Sequence, residues 1–342
     1  MSEFIHTFLP GRVVFGPGTL DQVAAEAELL GVRRVLLIAT NSARDAADVV
    51  EAELNDRFAG RIDGVTQHVP TEVATAARAK AQETSTDGLV AIGGGSAIGL
   101  AKAVALTSGL PIVAVPTTYA GSEMTPVWGE TAGGSKTTGT DLKVLPRTVV
   151  YDPVLSQHLP KKVTAASVAN AMAHCVEAIW TPKADPITET TAVEGVRALA
   201  AGLRQVLQAR TDLDARSNLL YGACLGGSAL ATAGTGLHHK LCHLLGGTYN
   251  LPHAETHAAV LPQVTRIKAP AVPQAKARLE DALQTDDLAT GLFDLFTEAG
   301  IPTNLKDLGL TQEQAREAAR AFDADEILTR AWAGTRPEGV TR

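Results

Sequence analysis

The residues best suited to chemistry lie between Gly236 and Pro262, in GLHHKLCHLLGGTYNLPHAETHAAVLP, which holds five of the nine histidines. His239 and His243 are four apart, so a helix places them on one face. His253 follows His243 by ten residues, after the turn-forming stretch GGTYNLP. A second i,i+4 pair, Asn170 and His174, occurs upstream in NAMAHCVEAIW. Imidazoles gathered this way suit metal ligation, proton transfer or anion binding. A lone HxxxH is ordinarily a polar helix face; two matched pairs plus a histidine after a turn favour a site. His238 and Lys240 fall one step round the helix and are expected to be solvated, and His257 to be a plain helix residue.

A second cluster is glycine-rich. Gly93-Gly94-Gly95-Ser96 follows the apolar run GLVAI and opens the helical pattern AIGLAKAVAL. Ser96 is the expected N-cap and Gly109 the expected C-terminal stop. Three glycines let a phosphate approach the backbone, and a helix start offers N–H donors at a positive dipole end. This suits the pyrophosphate of a dinucleotide, although it is not GxGxxG. The next apolar run, IVAV, ends in PTTYAGSEMTP, where Thr117, Thr118 and Ser122 can donate hydrogen bonds to a dinucleotide. Tyr119 and Thr125 in the same loop are substrate-contact candidates. After the early run ending at Ala39 comes Thr40-Asn41-Ser42-Ala43-Arg44, with no carboxylate at the strand end. Asn41 is therefore a cofactor candidate, Arg44 can meet a 2′-phosphate, and both NADH and NADPH should serve.

These groups need positioning elements. Strands are expected at Arg33–Ala39, Gly88–Ile92, Ile112–Val115 and Thr148–Tyr151, with a further one at Arg12–Phe15. Helices are expected near Thr19–Leu29, Ala43–Leu54, Val73–Thr84 and Ser96–Thr107. Strands that are apolar throughout and alternate with helices imply a parallel α/β sheet. Beyond Asp152-Pro153 the pattern is helical, over Val168–Trp180, Ile187–Arg210, Ala215–Ala233 and Gln312–Ala321. The reading is an α/β dinucleotide-binding domain over residues 1–155 and an all-helical substrate and catalytic domain over 156–342, with the active cleft expected between them.

Composition narrows the class. The net charge of −7 disfavours a nucleic-acid or acidic-membrane surface. The three cysteines, Cys175, Cys224 and Cys242, form no CxxC or disulfide framework, as expected in a reducing cytoplasm. No signal-like start or membrane-spanning apolar run is present.

Taken together, FGPG at Phe15–Gly18, GGGS, PTT, Asp152-Pro153 and GLxHxxxHxLGxxYxxPH resemble the iron-containing (group III) alcohol dehydrogenase family. GGGSAIGLAKA, PTTYAGSEMTP, GGSKTTG with VLPRTVVYDP, and NAMAHCVEA resemble its maleylacetate-reducing branch. The resemblance implies a dehydroquinate synthase-like architecture and a homodimer. The implied reaction is NAD(P)H-dependent reduction of the conjugated C=C bond of maleylacetate to 3-oxoadipate, in aromatic catabolism. It places Asn170, His174, His239 and His253 at the family's metal-ligand positions, His243 at a further catalytic histidine and Lys136 near the cofactor. Two departures matter: Gly99 stands where the alcohol dehydrogenases carry an acid, and Asn170 where they carry the ligand aspartate. Both occur in the maleylacetate-reducing branch, described as working without bound metal, and a neutral amide removes a formal negative charge from any metal shell. Metal-independent catalysis is therefore expected, with His243 nominated as proton donor or oxyanion partner among His174, His239, His253 and Asn170. The alternatives are a metal-dependent alcohol or polyol dehydrogenase, a lyase of the dehydroquinate synthase type and, remotely, a non-catalytic binding module.

Overall fold

A computed structural model describes residues 3–65, 69–133 and 135–338; the side chains of Ser135 and Lys136 lie outside that description. The chain forms two compact units, one spanning Leu9–His158 and the other running from Leu159 onward together with the N-terminal stretch through Phe8.

In the first unit the strands are β1 (Arg12–Phe15), β2 (Val35–Ala39), β3 (Phe58–Ile62), β4 (Gly88–Gly93), β5 (Ile112–Pro116), β6 (Val127–Ala132), β7 (Ser135–Thr140) and β8 (Thr148–Tyr151). Its helices are α1 (Val23–Leu29), α2 (Arg44–Leu54), α3 (Thr71–Glu83) and α4 (Gly95–Ser108). Six strands make a parallel sheet in the order β1-β8-β5-β4-β2-β3, and β6 and β7 form a separate antiparallel hairpin. All of β2 and β4 is buried, because both faces of the sheet are covered. Val35, Leu37, Val90, Ile92, Val113 and Val115 pack against Val23 and Ala27 of α1 and Ala47, Val50 and Leu54 of α2. Leu36, Ile38, Leu89, Ala91, Ile112 and Ala114, at the alternate positions, are equally buried.

The second unit holds, among the described residues, nine helices and no strand: α5 (Lys161–Ala178), α6 (Pro186–Gln208), α7 (Leu213–Ala233), α8 (Leu237–Tyr249), α9 (His253–Lys268), α10 (Pro273–Leu283), α11 (Leu288–Glu298), α12 (Gln312–Arg320) and α13 (Asp325–Ala333). Helix α5 buries every residue from Val168 to Ala178 and packs against α6, α7 and α9. An all-round buried helix should be apolar, yet α5 carries Asn170, His174 and Glu177 in that stretch. Among the described residues no helix is long and apolar enough to cross a membrane.

Two sequence expectations need correction here. The first turn of α4 begins at Gly95 with Gly94 as N-cap, and no side chain caps it, so Ser96 is inside the helix. Gly109 does end α4 in the left-handed conformation. Strands β3, β6 and β7 were not anticipated.

Candidate active site

In the α/β unit, three strand ends meet. The Thr117 N–H donates to the Gly93 carbonyl at 3.0 Å, and the Thr40 N–H donates to the Ile92 carbonyl at 3.2 Å. Gly93 has φ +149, and a Cβ there would lie 2.7 Å from Thr40 Cγ2, so only glycine fits. A Cβ on Gly94 would sit 3.2 Å from Thr118 Oγ1, whereas a Cβ on Gly95 would meet nothing closer than 3.9 Å. The loop is thus packed at Gly93 and Gly94 and open at Gly95. The N–H groups of Gly95 and Ser96 precede the first α4 donor, since Ala97 N–H bonds back to Gly94. That cradle fits a pyrophosphate. Asn41 is exposed beside it, opening the 3-10 turn after β2.

The rest of the post-β5 loop departs from expectation. Lys102 on α4 is 1% exposed. Its Nζ donates to the carbonyls of Ser122 (2.6 Å), Thr125 (2.7 Å) and Val127 (2.9 Å) and to Thr125 Oγ1 (3.1 Å). Burial pulls the Lys102 pKa down to about 7, opposed by the charge of Glu123. Glu123 is itself buried and accepts from the Tyr151 hydroxyl at 2.7 Å. Ser122 and Thr125 therefore hold Lys102, and Tyr119 is fully enclosed. Thr125 and Tyr119 are buried in the loop, whereas Ser122 holds Lys102 mainly through its carbonyl and keeps a half-buried side chain. The Lys136 side chain lies outside the described residues.

No acid dominates the end of β2. Arg61 takes up Asp48, Glu51 and Asp63, and Arg44 is exposed at the start of α2. NADH and NADPH are accordingly expected to differ by less than about tenfold in kcat/KM, or about 1.4 kcal/mol. Steady-state kinetics with each cofactor checks this; a hundredfold preference for NADH means that an acid such as Asp45 reaches the ribose.

In the helical unit, α5, α8 and α9 bring six histidines into one chain of ring contacts. Ring centroids are 5.2 Å apart for His174–His239, 6.1 Å for His239–His243, 6.0 Å for His243–His253, 4.6 Å for His253–His257 and 4.7 Å for His238–His257. His174, His239 and Asn170 are buried, and His243 and His253 are exposed. Lys240 is exposed as expected. His238 is not solvated: it is fully buried, with Nε2 2.8 Å from His257 Nδ1. His257 is also fully buried and touches His239 at 4.9 Å. The i,i+4 reading assumed a single inward face, but α8 buries His238, His239, Leu241, Cys242 and Leu245.

Glu177 is the group that motif reading missed. It follows His174 by one helical turn on α5 and is 1% exposed. Its carboxylate accepts from His239 Nδ1 at 2.5 Å and from the His238 backbone N–H at 2.6 Å. It therefore caps the N-terminus of α8 from a neighbouring helix, where the dipole favours an anion. A Cβ on Gly236 would come within 2.9 Å of Glu177 Oε1, so glycine there permits the approach. Burial alone would raise the Glu177 pKa, but the His239 hydrogen bond and the charges of His239 and His238 bring it down to about 2. Glu177 is an anion at neutral pH and holds His239 with Nδ1 protonated and Nε2 directed away. His174 Nδ1, His239 Nε2 and His257 Nε2 have no hydrogen-bond partner among the described residues.

Burial pulls the pKa of His174 and His257 well below the ordinary 6.5, with neighbouring imidazoles adding to the effect, and pulls that of His238 down to about 3 against the opposing charge of Glu177. The unfolded chain binds these protons from about pH 6.5 downward and the folded protein does not. Stability is therefore full above that pH and is lost as pH falls below it. Each histidine is expected to cost about 1.4 kcal/mol between pH 7.5 and 5.5, or about 4 kcal/mol for the three. Urea unfolding at the two pH values measures this, and equal stabilities rule out neutral burial.

Two family models match: iron-containing alcohol dehydrogenase over residues 10–153 and its C-terminal counterpart over residues 164–341. The chain belongs to the iron-containing alcohol dehydrogenase family, whose members are nicotinamide-dependent oxidoreductases. It is 48% identical to maleylacetate reductase of Pseudomonas sp. (strain P51), over 91% of this chain and 88% of that one. It is 44% identical to maleylacetate reductase 1 of Rhodococcus opacus, over 98% of each. The crystal structure of maleylacetate reductase from Agrobacterium tumefaciens superposes with a TM-score of 0.94 at 38% identity, covering 98% of this chain and all of that one.

The family name implies iron, so the donor set matters. Asn170 offers a neutral amide where a hard divalent ion favours an anion. Among the described residues, one His/Cys/Asp/Glu group has ligand atoms all within 4.8 Å of one another: His238, Cys242 and His257. His174, His239 and His253 do not converge in that way. At the positions inherited from the family the amide disfavours a hard ion, while three imidazoles remain, a set that zinc accepts.

Proposed function

We propose that this enzyme reduces the carbon–carbon double bond of maleylacetate to give 3-oxoadipate, using NADH or NADPH and no resident metal. The observation that carries the metal-free chemistry is the buried Glu177–His239 pair, set among imidazoles where the family's anionic ligand is an amide. The similarity to maleylacetate reductases supports the substrate. Gly93, Gly94, Gly95, Ser96, Thr117 and Thr118 hold the dinucleotide, with Asn41 as a further contact and Lys136 assigned by the family resemblance alone. When bound, the dinucleotide supplies a hydride for the alkene carbon remote from the ketone. Negative charge then develops on the ketone oxygen as an enolate, and the adjacent carbon needs a proton. His239 faces that oxygen, because Glu177 stabilises positive charge on its ring. Asn170 adds an amide N–H donor that an aspartate lacks. His243 is exposed and exchanges protons with water, which suits it as the proton source. His174 and His253 line the same cluster.

The enzyme is further proposed to act in the cytoplasm as a homodimer, supported by the edge strand β1, which leaves Val13 and Phe15 exposed.

NADH oxidation with maleylacetate, before and after exhaustive chelation, tests the reading. Activity is expected to survive. Loss with EDTA and recovery with Fe²⁺ or Zn²⁺ overturns metal independence, and turnover of simple alcohols in place of maleylacetate overturns the substrate. Asn170→Asp should raise divalent-metal affinity at least about tenfold by calorimetry, since it returns an anion to the imidazoles.

A further inference from the structure

Behind the reaction imidazoles lies a group of three fully buried side chains that the mechanism does not use: Cys242 and His238 on α8 and His257 on α9. Cys242 Sγ is 3.8 Å from His238 Nε2 and 4.0 Å from His238 Nδ1, and His238 Nε2 is 2.8 Å from His257 Nδ1. We propose that these residues form a hydrogen-bond chain that fixes His257 as its Nε2–H tautomer, and that this N–H positions His239 and His253 for the reaction.

Two proton arrangements satisfy the His238–His257 bond. If His257 Nδ1–H donates to His238, then His257 Nε2 is a lone pair. His239 Nε2 is also a lone pair while His239 is neutral, because Nδ1–H is committed to Glu177. Two unpartnered acceptors would then be buried in touching rings, with centroids 4.9 Å apart. That is costly for buried lone pairs. If His238 Nε2–H donates to His257 Nδ1, the His257 Nε2 carries a proton, and a donor is buried beside an acceptor. His238 Nδ1, 4.0 Å from Sγ, is then a weak acceptor for the Cys242 thiol, which burial keeps protonated by pushing its pKa well above 9. The second arrangement sets a donor rather than a second lone pair beside His239 Nε2, and its advantage there is electrostatic, since neither Nε2 makes a hydrogen bond. His257 is in T-shaped contact with both His239 and His253, so its tautomer bears on both. His238 and His257 are positioning residues.

The inference rests on the reading of His239 and His253 as reaction imidazoles, and its tests separate the two. Long-range ¹H–¹⁵N NMR of the histidine-labelled enzyme reads the tautomer without substrate, and Nε2–H on His257 is expected. An Nδ1–H signal overturns the chain. His238→Gln keeps a side-chain N–H donor and His238→Leu removes it. The Leu variant is expected to lose about 10- to 50-fold in kcat with NADH affinity unchanged, and the Gln variant to recover most of that loss. A folded Leu variant with full kcat overturns the positioning role. Should a variant fail to fold, the tautomer of the unmodified enzyme still decides. A wild-type enzyme that shows the expected tautomer but ignores maleylacetate sinks the substrate reading alone.

Discussion

Glu177→Gln lowers kcat for maleylacetate by about two to three orders of magnitude, with little change in NADH affinity. The carboxylate makes two buried bonds, to His239 Nδ1 and to the His238 backbone N–H. Glutamine has one oxygen, so its amide N–H₂ must oppose one of those two donors. Either His239 turns or takes its other tautomer, or the first turn of α8 loses its cap. The negative charge that stabilises a cationic His239 is lost in both cases. Some stability also goes, about 1–3 kcal/mol for a disrupted buried bond. The melting temperature and NADH titration must therefore be measured beside kcat. A folded Gln variant within threefold of the wild-type rate would remove Glu177 from the mechanism and leave it a helix cap.

Glu177 also shows where sequence reading stops. The parallel sheet was legible because β2, β4, β5 and β8 are buried throughout and their sequences are apolar apart from Thr148 at the start of β8. Strand β3, FAGRI, is an edge strand, half-buried and interrupted by glycine and arginine, so it carries no such pattern. The β6–β7 hairpin, WGETA and SKTTGT within it, is polar and rich in threonine and glycine. In the site, the i,i+4 pairs located the imidazole cluster but not its depth. Whether His238 points to water or to His257 depends on α9 packing against α8, a tertiary fact. Lys102 was hidden for the same reason: a lysine inside GLAKAVAL reads as a solvated helix residue until the three carbonyls of the following loop are folded over it. Glu177 did leave a signal. It stands three residues after His174 on a helix with an otherwise buried face, and a charge there requires a partner.

His243→Ala is expected to lower kcat by about two to four orders of magnitude if this residue delivers the proton. His243 is exposed, stacks against His253 at 6.0 Å and lies 6.1 Å from His239. Exposure separates it, together with His253, from the rest of the cluster. His174, His238 and His257 are held neutral by burial and cannot readily gain a proton from water, whereas His243 is in contact with solvent. Exposure also makes the test clean, since an alanine here leaves no cavity and the melting temperature should stay within about 2 °C of the wild type. Lys240→Ala, an exposed change on the same helix, serves as the control and should leave kcat unaltered. Added imidazole should restore part of the lost rate in the alanine variant, because a small base can occupy an open surface position. A loss below tenfold in a stable variant, or no response to imidazole, moves the proton source to His253, the other exposed ring in the cluster.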